Sequence, residues 1–348
     1  MRSSNCRRAF TWPEILVSLA ILFVLVALLI SYLQSARENS RRSQCSNNLK
    51  EIGLAIHYYA TANKVFPPGT ICSTAPIAPG NQYDVWGEAG RSGHGFHGTG
   101  FLLRILPFLE ATTLGQPWDN SYGVSGGSVN TAMFATGDLR RFYCPTRRAG
   151  LRQGDNVMML SSAWTGGGTD YGGCAGRHAA FSLLTGYNLC DATMHYQPSF
   201  KPVAQGSEAD DAKPETSWGI FGRVNVSTKF SDIGDGLSNT IMTGELQRIT
   251  NIQPTSKDGW AIGGPASLFT TGALFRRDGK TLTCVDSPAK GKLMNNGFFG
   301  SPGSDHVGGA NYGLGDASVQ FITESIDPNI FALLGSMADR IPDRGIPD

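Results

Sequence analysis

The hydrophobic pattern divides the chain into a long apolar run, an amphipathic seam and a broken, loop-rich remainder. From Ile15 to Leu33 no charged residue occurs, a run close to the roughly 20 apolar residues that carry a helix across a bilayer. A short basic leader with Arg2, Arg7 and Arg8 precedes it, and Glu14 stands at its entrance. Beyond the run, Cys45, Leu49, Ile52, Ile56 and Tyr59 recur at steps of 4, 3, 4 and 3, the seam of a helix lying on a partner. Pro67-Pro68-Gly69 stops it. The spacing predicts one rod from Phe10 to about Ala62, roughly 80 Å long at about 1.5 Å per residue. Its first half belongs in lipid and its second half on a globular body.

The remainder reads as short elements between glycine-rich loops. Phe101 to Leu109 is a short buried element broken at Pro107, and Arg141-Phe142-Tyr143-Cys144-Pro145 is a short strand ending at a proline. The stretch from Ser161 to Pro214 is irregular and reads as a surface insertion. Order returns at Trp218 to Phe221, after which Val224 and Val226 alternate with polar residues as a strand would. Between Ser304 and Ile322 two strands meet in a tight turn at Gly315-Asp316. A closing helix follows, capped by Asp327, with Pro328 at its first position and Ile330, Phe331, Leu333 and Leu334 facing the sheet. The fold class is α+β: a long amino-terminal helix packed on a mostly antiparallel β domain with long irregular loops.

Composition narrows the function. Gly 44 and Pro 18 with only 16% charged residues fit a chain of many turns. A net charge of +1 gives no electrostatic reason to expect nucleic acid as a partner, although Arg37, Arg41, Arg42 and Lys50 cluster on the helix. Those basic residues also leave positive charge on both sides of the span, so charge bias alone does not set topology. Of seven cysteines, Cys6 lies in the leader. The rest, in an oxidising compartment, can form disulfides with 15 connectivities open. Cys45 with Cys144 is the favoured pair, because both sit beside segments that should pack together; unpaired buried thiols are the other reading. No CxxC and no paired Cys/His spacing occurs, so no structural zinc site is expected.

Three patterns that could carry chemistry resolve to structure. Gly123-Val124-Ser125-Gly126-Gly127 satisfies G-x-S-x-G, but a loop precedes it where a nucleophile elbow needs an apolar strand. His94 and His97 lie on a glycine-rich loop with no nearby acid. Asp232, Asp235 and Asn239 could cap their own loop or hold Ca²⁺, the one cofactor the sequence leaves open. No enzymatic constellation emerges.

Three readings compete for the apolar run. A cleaved secretory signal needs a shorter core and small residues at a cut site; a plain signal anchor explains the length but not Glu14, a carboxylate that costs energy at a bilayer entrance. The third is a type IV prepilin signal, which Ala9-Phe10-Thr11-Trp12-Pro13-Glu14 closely resembles. That resemblance implies cytoplasmic-side cleavage between Ala9 and Phe10 by a prepilin peptidase, methylation of the new amino terminus, and Glu14 as the acid that guides assembly. Ala9 stands where that family usually has Gly, and Trp12-Pro13 replace two aliphatic residues. Pro13 falls in the first helical turn, where its missing N–H costs no hydrogen bond.

Taken together, the chain resembles the DUF1559 group of bacterial prepilin-like proteins. Arg41 to Lys50, Phe66-Pro67-Pro68-Gly69, Asp235 to Thr240, and a carboxy-terminal His, nine residues, then Asp-Gly carry the resemblance; His306 and Asp316 match the last motif and Ala317 departs from it. Glycine serves that turn because its position has positive φ, so Ala317 is expected to shift the turn until Gly315 takes the first central position of a type II′ turn. His306 is expected to be a buried hydrogen-bond partner of the hairpin. The resemblance implies a leader at 1–9, a pilin-like helix at 10–66 with its span at 15–33, and a globular domain at 67–348. It also implies a pilin- or pseudopilin-like structural role in a type IV pilus or type II secretion-like system, in the inner membrane with the carboxy-terminal domain periplasmic, or extracellular after assembly. Partners would be the peptidase and other pilin-like subunits. The alternative is a membrane-tethered solute- or glycan-binding protein that uses loops around Trp86, Trp118 and Trp164.

Overall fold

The computed structural model describes residues 12–71, 98–109, 124, 137–152, 154–155, 159, 164–177, 195–196, 202–203, 218–222, 224–247, 258–272, 275–278, 281–284, 292–296 and 301–338. The first described element is a single helix, α1 (Trp12–Asn63). Its apolar window of mean hydropathy 2.9 has none of its surface buried in the protein. Its second half buries Cys45, Asn48, Leu49, Ile52, Gly53, Ala55, Ile56 and Ala60. The seam read from the sequence is thus the seated face, widened by Asn48, Gly53 and two alanines, with Tyr59 packed at its margin. The helix ends where Lys64 takes a left-handed φ of 65° and the Asn63 side chain donates to the Tyr59 carbonyl at 2.9 Å.

The elements that follow are β1 (Thr70–Ile71), β2 (Thr99–Gly100), α2 (Phe101–Ile105), β3 (Tyr171–Gly176), β4 (His195–Tyr196), β5 (Pro202–Val203) and β6 (Ile241–Glu245). Then come β7 (Leu268–Thr270), β8 (Phe275–Asp278), β9 (Thr281–Cys284), β10 (Gly309–Leu314), β11 (Val319–Thr323) and α3 (Pro328–Leu334). The main sheet has five strands in the order β11-β10-β6-β3-β7. All its pairs are antiparallel except β3 with β7. The α+β class expected from the sequence holds.

Strand β3 overturns one expectation. Tyr171-Gly172-Gly173-Cys174-Ala175-Gly176 reads as part of an irregular surface insertion, yet it is a fully buried inner strand of the sheet. Its glycines let neighbours approach: a Cβ on Gly173 would lie 2.5 Å from the Phe221 ring, and one on Gly172 2.8 Å from the Ser267 carbonyl. Two shorter expectations also change. Arg140–Phe142 is a 3₁₀ turn and not part of a strand, because Phe142 and Tyr143 N–H groups bond back to Leu139 and Arg140. Val224 makes only an isolated bridge to Thr70, so no strand runs through Val226.

The β10–β11 turn shows how Ala317 replaces glycine. Ala317 N–H bonds to the Leu314 carbonyl at 2.9 Å and Leu314 N–H to the Ser318 carbonyl at 2.8 Å, and Ala317 itself has φ +64°. This is a three-residue loop with a left-handed bulge residue, so the turn does not shift onto Gly315. The strain of alanine there, roughly 1–2 kcal/mol, is accepted in place. The methyl group is buried and sits where α1 carries Gly53: a Cβ on Gly53 would lie 3.0 Å from the Ala317 Cβ. The closing helix forms as expected, with Asp327 Oδ1 accepting from Asn329 and Ile330 N–H at 2.7 and 3.3 Å.

Arg148 organises the buried polar part. Its side chain is fully buried and meets Asp155 at 3.0 Å, Asp170 at 2.8 Å and Asp258 at 2.7 Å. Removing one partner from such a network strands the others, at a cost of about 3–5 kcal/mol.

Two outcomes are expected. Gly53→Ala should lower the thermal midpoint of the full chain in micelles, whereas the same change with Ala317→Gly should be neutral or stabilising; additivity of the two would contradict the contact. Arg148→Met should destabilise by about 3–5 kcal/mol in denaturant unfolding, and a loss below about 1 kcal/mol would show that the three carboxylates do not depend on it.

Candidate functional site

Where the seated half of α1 meets the sheet, four side chains that the sequence keeps far apart converge. Cys45 comes from α1, Cys144 from the loop after the 3₁₀ turn, Glu245 from the last position of β6 and His306 from the segment entering β10. All four are buried, and one ligand atom of each lies within 4.8 Å of the others. The Cys45 and Cys144 sulfurs are 2.7 Å apart. His306 Nε2 lies 3.6 Å from Cys144 Sγ and 3.2 Å from Glu245 Oε1.

Each group is held from behind. The Cys144 N–H donates to Asp170 Oδ2 at 3.0 Å, and the Cys144 carbonyl accepts from the N–H groups of Arg147 and Arg148. This ties the thiol to the Arg148 network. His306 Nδ1 lies 2.6 Å from Glu38 Oε1, two turns before Cys45 on α1, and 3.3 Å from Thr146 Oγ1. Glu245 Oε2 accepts from Asn311 N–H at 2.7 Å and from its Nδ2 at 3.0 Å. Glu245 Oε1, equally buried, faces His306 Nε2. Asn48, one residue inside the α1 seam, donates to the Tyr143 carbonyl and to the Tyr171 hydroxyl.

The charges follow from this packing. Burial alone would push the His306 imidazolium down, but its contacts with Cys144, Glu245 and Glu38 outweigh burial and raise it to about 11. The Cys45 contact, opposed by burial and helped by His306, lowers the Cys144 thiol to about 7; the Cys45 thiol is pushed far up by the same contact and by burial. With His306 protonated, an imidazolium therefore lies between two carboxylates and beside a thiol pair.

Glu38, Glu245 and Asn311 were not singled out by the sequence pattern. Glu245 follows the Asp235–Thr240 loop closely in sequence, and an acid ending an apolar strand was the one available signal. The predicted residues fare differently. Cys45 and Cys144 are brought together, but as free thiols and not as the favoured disulfide. His306 is buried here, but its ring bonds to Glu38 and not to the hairpin turn. Asp316 stays at that turn, accepting from Ser318 N–H and from Ser238 Oγ at 2.8 Å each. The two motif residues thus flank β10 and serve different ends of it. Glu14 lies in the exposed first turn of α1, where its carbonyl accepts from Ser18 Oγ.

Ala9 and Phe10 lie outside the described residues, as do His94, His97, Ser125, Trp86 and Trp118. Trp164 is buried in the core, so it is not an exposed aromatic for a ligand. In the Asp232 loop, Asp232 Oδ2 accepts from Lys229 N–H at 2.9 Å and Asn239 Nδ2 donates to the Asp235 carbonyl at 3.1 Å, the self-capping arrangement.

This architecture belongs to a family. Residues 34–329 match the family described as protein of unknown function (DUF1559), and the chain is a member of it. No curated protein and no solved structure matches the chain. The matched span begins inside α1 and takes in every residue of the buried cluster, including Glu38.

The raised folded-state pKa of His306 stabilises the protein fully below the unfolded value of about 6.5, and that contribution declines as pH rises above it until it is gone beyond about 11. In chelator-treated protein the His306 ring resonance should therefore stay flat from about pH 5 to 9. An inflection near 6.5 that His306→Gln abolishes would show that the two carboxylates do not hold its charge.

Proposed function

We propose that this protein is a prepilin-type subunit: a membrane-held precursor that is cut between Ala9 and Phe10, methylated at the new terminus, and assembled through α1 into a pilus or pseudopilus. The observation that carries the reading is the division of α1. Its apolar half carries an acid, Glu14, in the first turn and buries nothing within the protein, while its other half is seated on the domain. A plain anchor needs the apolar half only. A charge at its head is useful when another molecule supplies the opposite charge, and the free amine of a neighbouring subunit would do so. Ser18 and Ala27 also place small residues on the exposed helix, which favours close helix–helix approach.

On this reading prepilin peptidase and other pilin-like subunits are the partners. The leader is cytoplasmic, the span crosses the inner membrane, and the domain is periplasmic or exported with the filament of a type II secretion-like or type IV pilus system. The role is structural, with no catalytic step assigned.

Intact-mass and amino-terminal sequencing of protein from cells with active peptidase should find N-methyl-phenylalanine at position 10. Material still starting at Met1 would refute the processing step. Glu14→Ala should abolish higher-order assemblies in crosslinking while leaving membrane insertion intact; assemblies that persist would assign Glu14 no part in them.

A further inference from the structure

We propose that Cys45, Cys144, His306 and Glu245 together bind one divalent metal ion of the zinc class, and that the ion fastens α1 to the sheet. The four donors come from four separate segments, and their ligand atoms lie within 4.8 Å of one another in a buried site. Two thiolates, an imidazole and a carboxylate are the mixed sulfur, nitrogen and oxygen set that Zn²⁺ takes tetrahedrally, and four protein donors make a closed, structural site.

The surroundings point the same way. A ligating histidine ordinarily gives its other ring nitrogen to a carboxylate, which fixes the ring and the tautomer. His306 does this through Nδ1 and Glu38 at 2.6 Å, leaving Nε2 aimed at the two sulfurs and Glu245. Glu245 is oriented likewise: Asn311 occupies Oε2 with two hydrogen bonds, and Oε1 is turned inward toward His306 Nε2 at 3.2 Å. An ion bound between Oε1 and Nε2 takes the place of that contact once Nε2 has given up its proton.

The sulfurs stand 2.7 Å apart, whereas two thiolates on one tetrahedral zinc at about 2.3 Å each lie roughly 3.8 Å apart. Loading therefore requires the two side chains to part by about 1 Å. The ion displaces three protons, one from each thiol and one from His306 Nε2, with no change of oxidation state. Retention should weaken as pH falls. The competing fate of the same pair is a disulfide, which needs an oxidant to take two electrons and two protons.

The test uses the full chain, purified in detergent micelles without strong chelators and dialysed against metal-free buffer. Elemental mass spectrometry should find one zinc per chain. Exchange with Co²⁺ alone should give the d–d bands of tetrahedral cobalt and sulfur-to-cobalt charge transfer. His306→Ala should remove both signals with the far-ultraviolet circular dichroism retained. Glu38→Gln keeps all four donors and guards against a misfolded His306 variant; it should weaken zinc retention about 10- to 100-fold against a competing chelator. Substoichiometric zinc with a Cys45–Cys144 crosslinked peptide in non-reducing digests would overturn the proposal in favour of the disulfide. Zinc retained undiminished by both variants would place the ion elsewhere and overturn it equally.

Discussion

Everything in this protein depends on one helix changing its surroundings halfway along. At about 1.5 Å per residue, the 52 residues of α1 make a continuous rod of roughly 80 Å. Its first half offers lipid-compatible side chains in all directions, and its second half is buried along one face only. Backbone hydrogen bonds inside the helix make the first half stable in a bilayer without partners. The second half has no such freedom. It is useful only if it stays on the domain, because a rod that lifted off would leave an apolar groove in the sheet and an exposed apolar seam on the helix.

That requirement explains where the interior's polar groups lie. An all-apolar seam would be held by burial, which is non-directional and tolerates a helix sliding or rotating in its groove. The seam here is interrupted at Cys45 and Asn48, and Glu38 reaches in from its edge. Each makes a contact that one register of the helix allows: Asn48 with Tyr143 and Tyr171, Glu38 with His306, and Cys45 with Cys144. Gly53 adds a steric stop against the β10–β11 turn. Polar contacts in a low-dielectric interior are costly when broken, so they fix the rod's register where burial alone would only hold it down.

How much of this was legible in the sequence depended on whether the signal was local. Periodicity from Cys45 to Tyr59, the Pro67-Pro68-Gly69 stop and the Asp327 cap are decided within a few residues, and each was read in place. Strand β3 was not. Its Gly172-Gly173 looks like loop, because the reason for those glycines is Phe221 and the Ser267 carbonyl, which arrive from distant sequence. Ala317 failed for the same reason: a local rule says alanine avoids positive φ, but the methyl fills the space over Gly53. That Cys45 and Cys144 come close was legible from flanking context, while Glu245, Asn311 and Glu38 carry no spacing signal: the first two join the cluster through the sheet, and Glu38 through the seating of α1 on it.

The cluster and the apolar half are therefore linked through a rigid lever. Any pull on α1 from lipid or from a neighbouring molecule is transmitted along a helix without proline between Glu14 and Asn63, and the first buried residue it reaches is Cys45. A fastening with four donors, three of them on the domain, resists such a pull in every direction. Hydrophobic contacts further along, at Leu49, Ile52 and Ile56, resist chiefly separation and offer less against sliding along the axis. A directional contact also lies further along, where His57 Nε2 meets the Gly315 carbonyl at 2.8 Å. Glu38, Cys45 and Asn48, however, gather theirs at the end of the seam nearest the apolar half, where load on the helix would arrive. The converse arrangement would let the seam peel open from its loaded end.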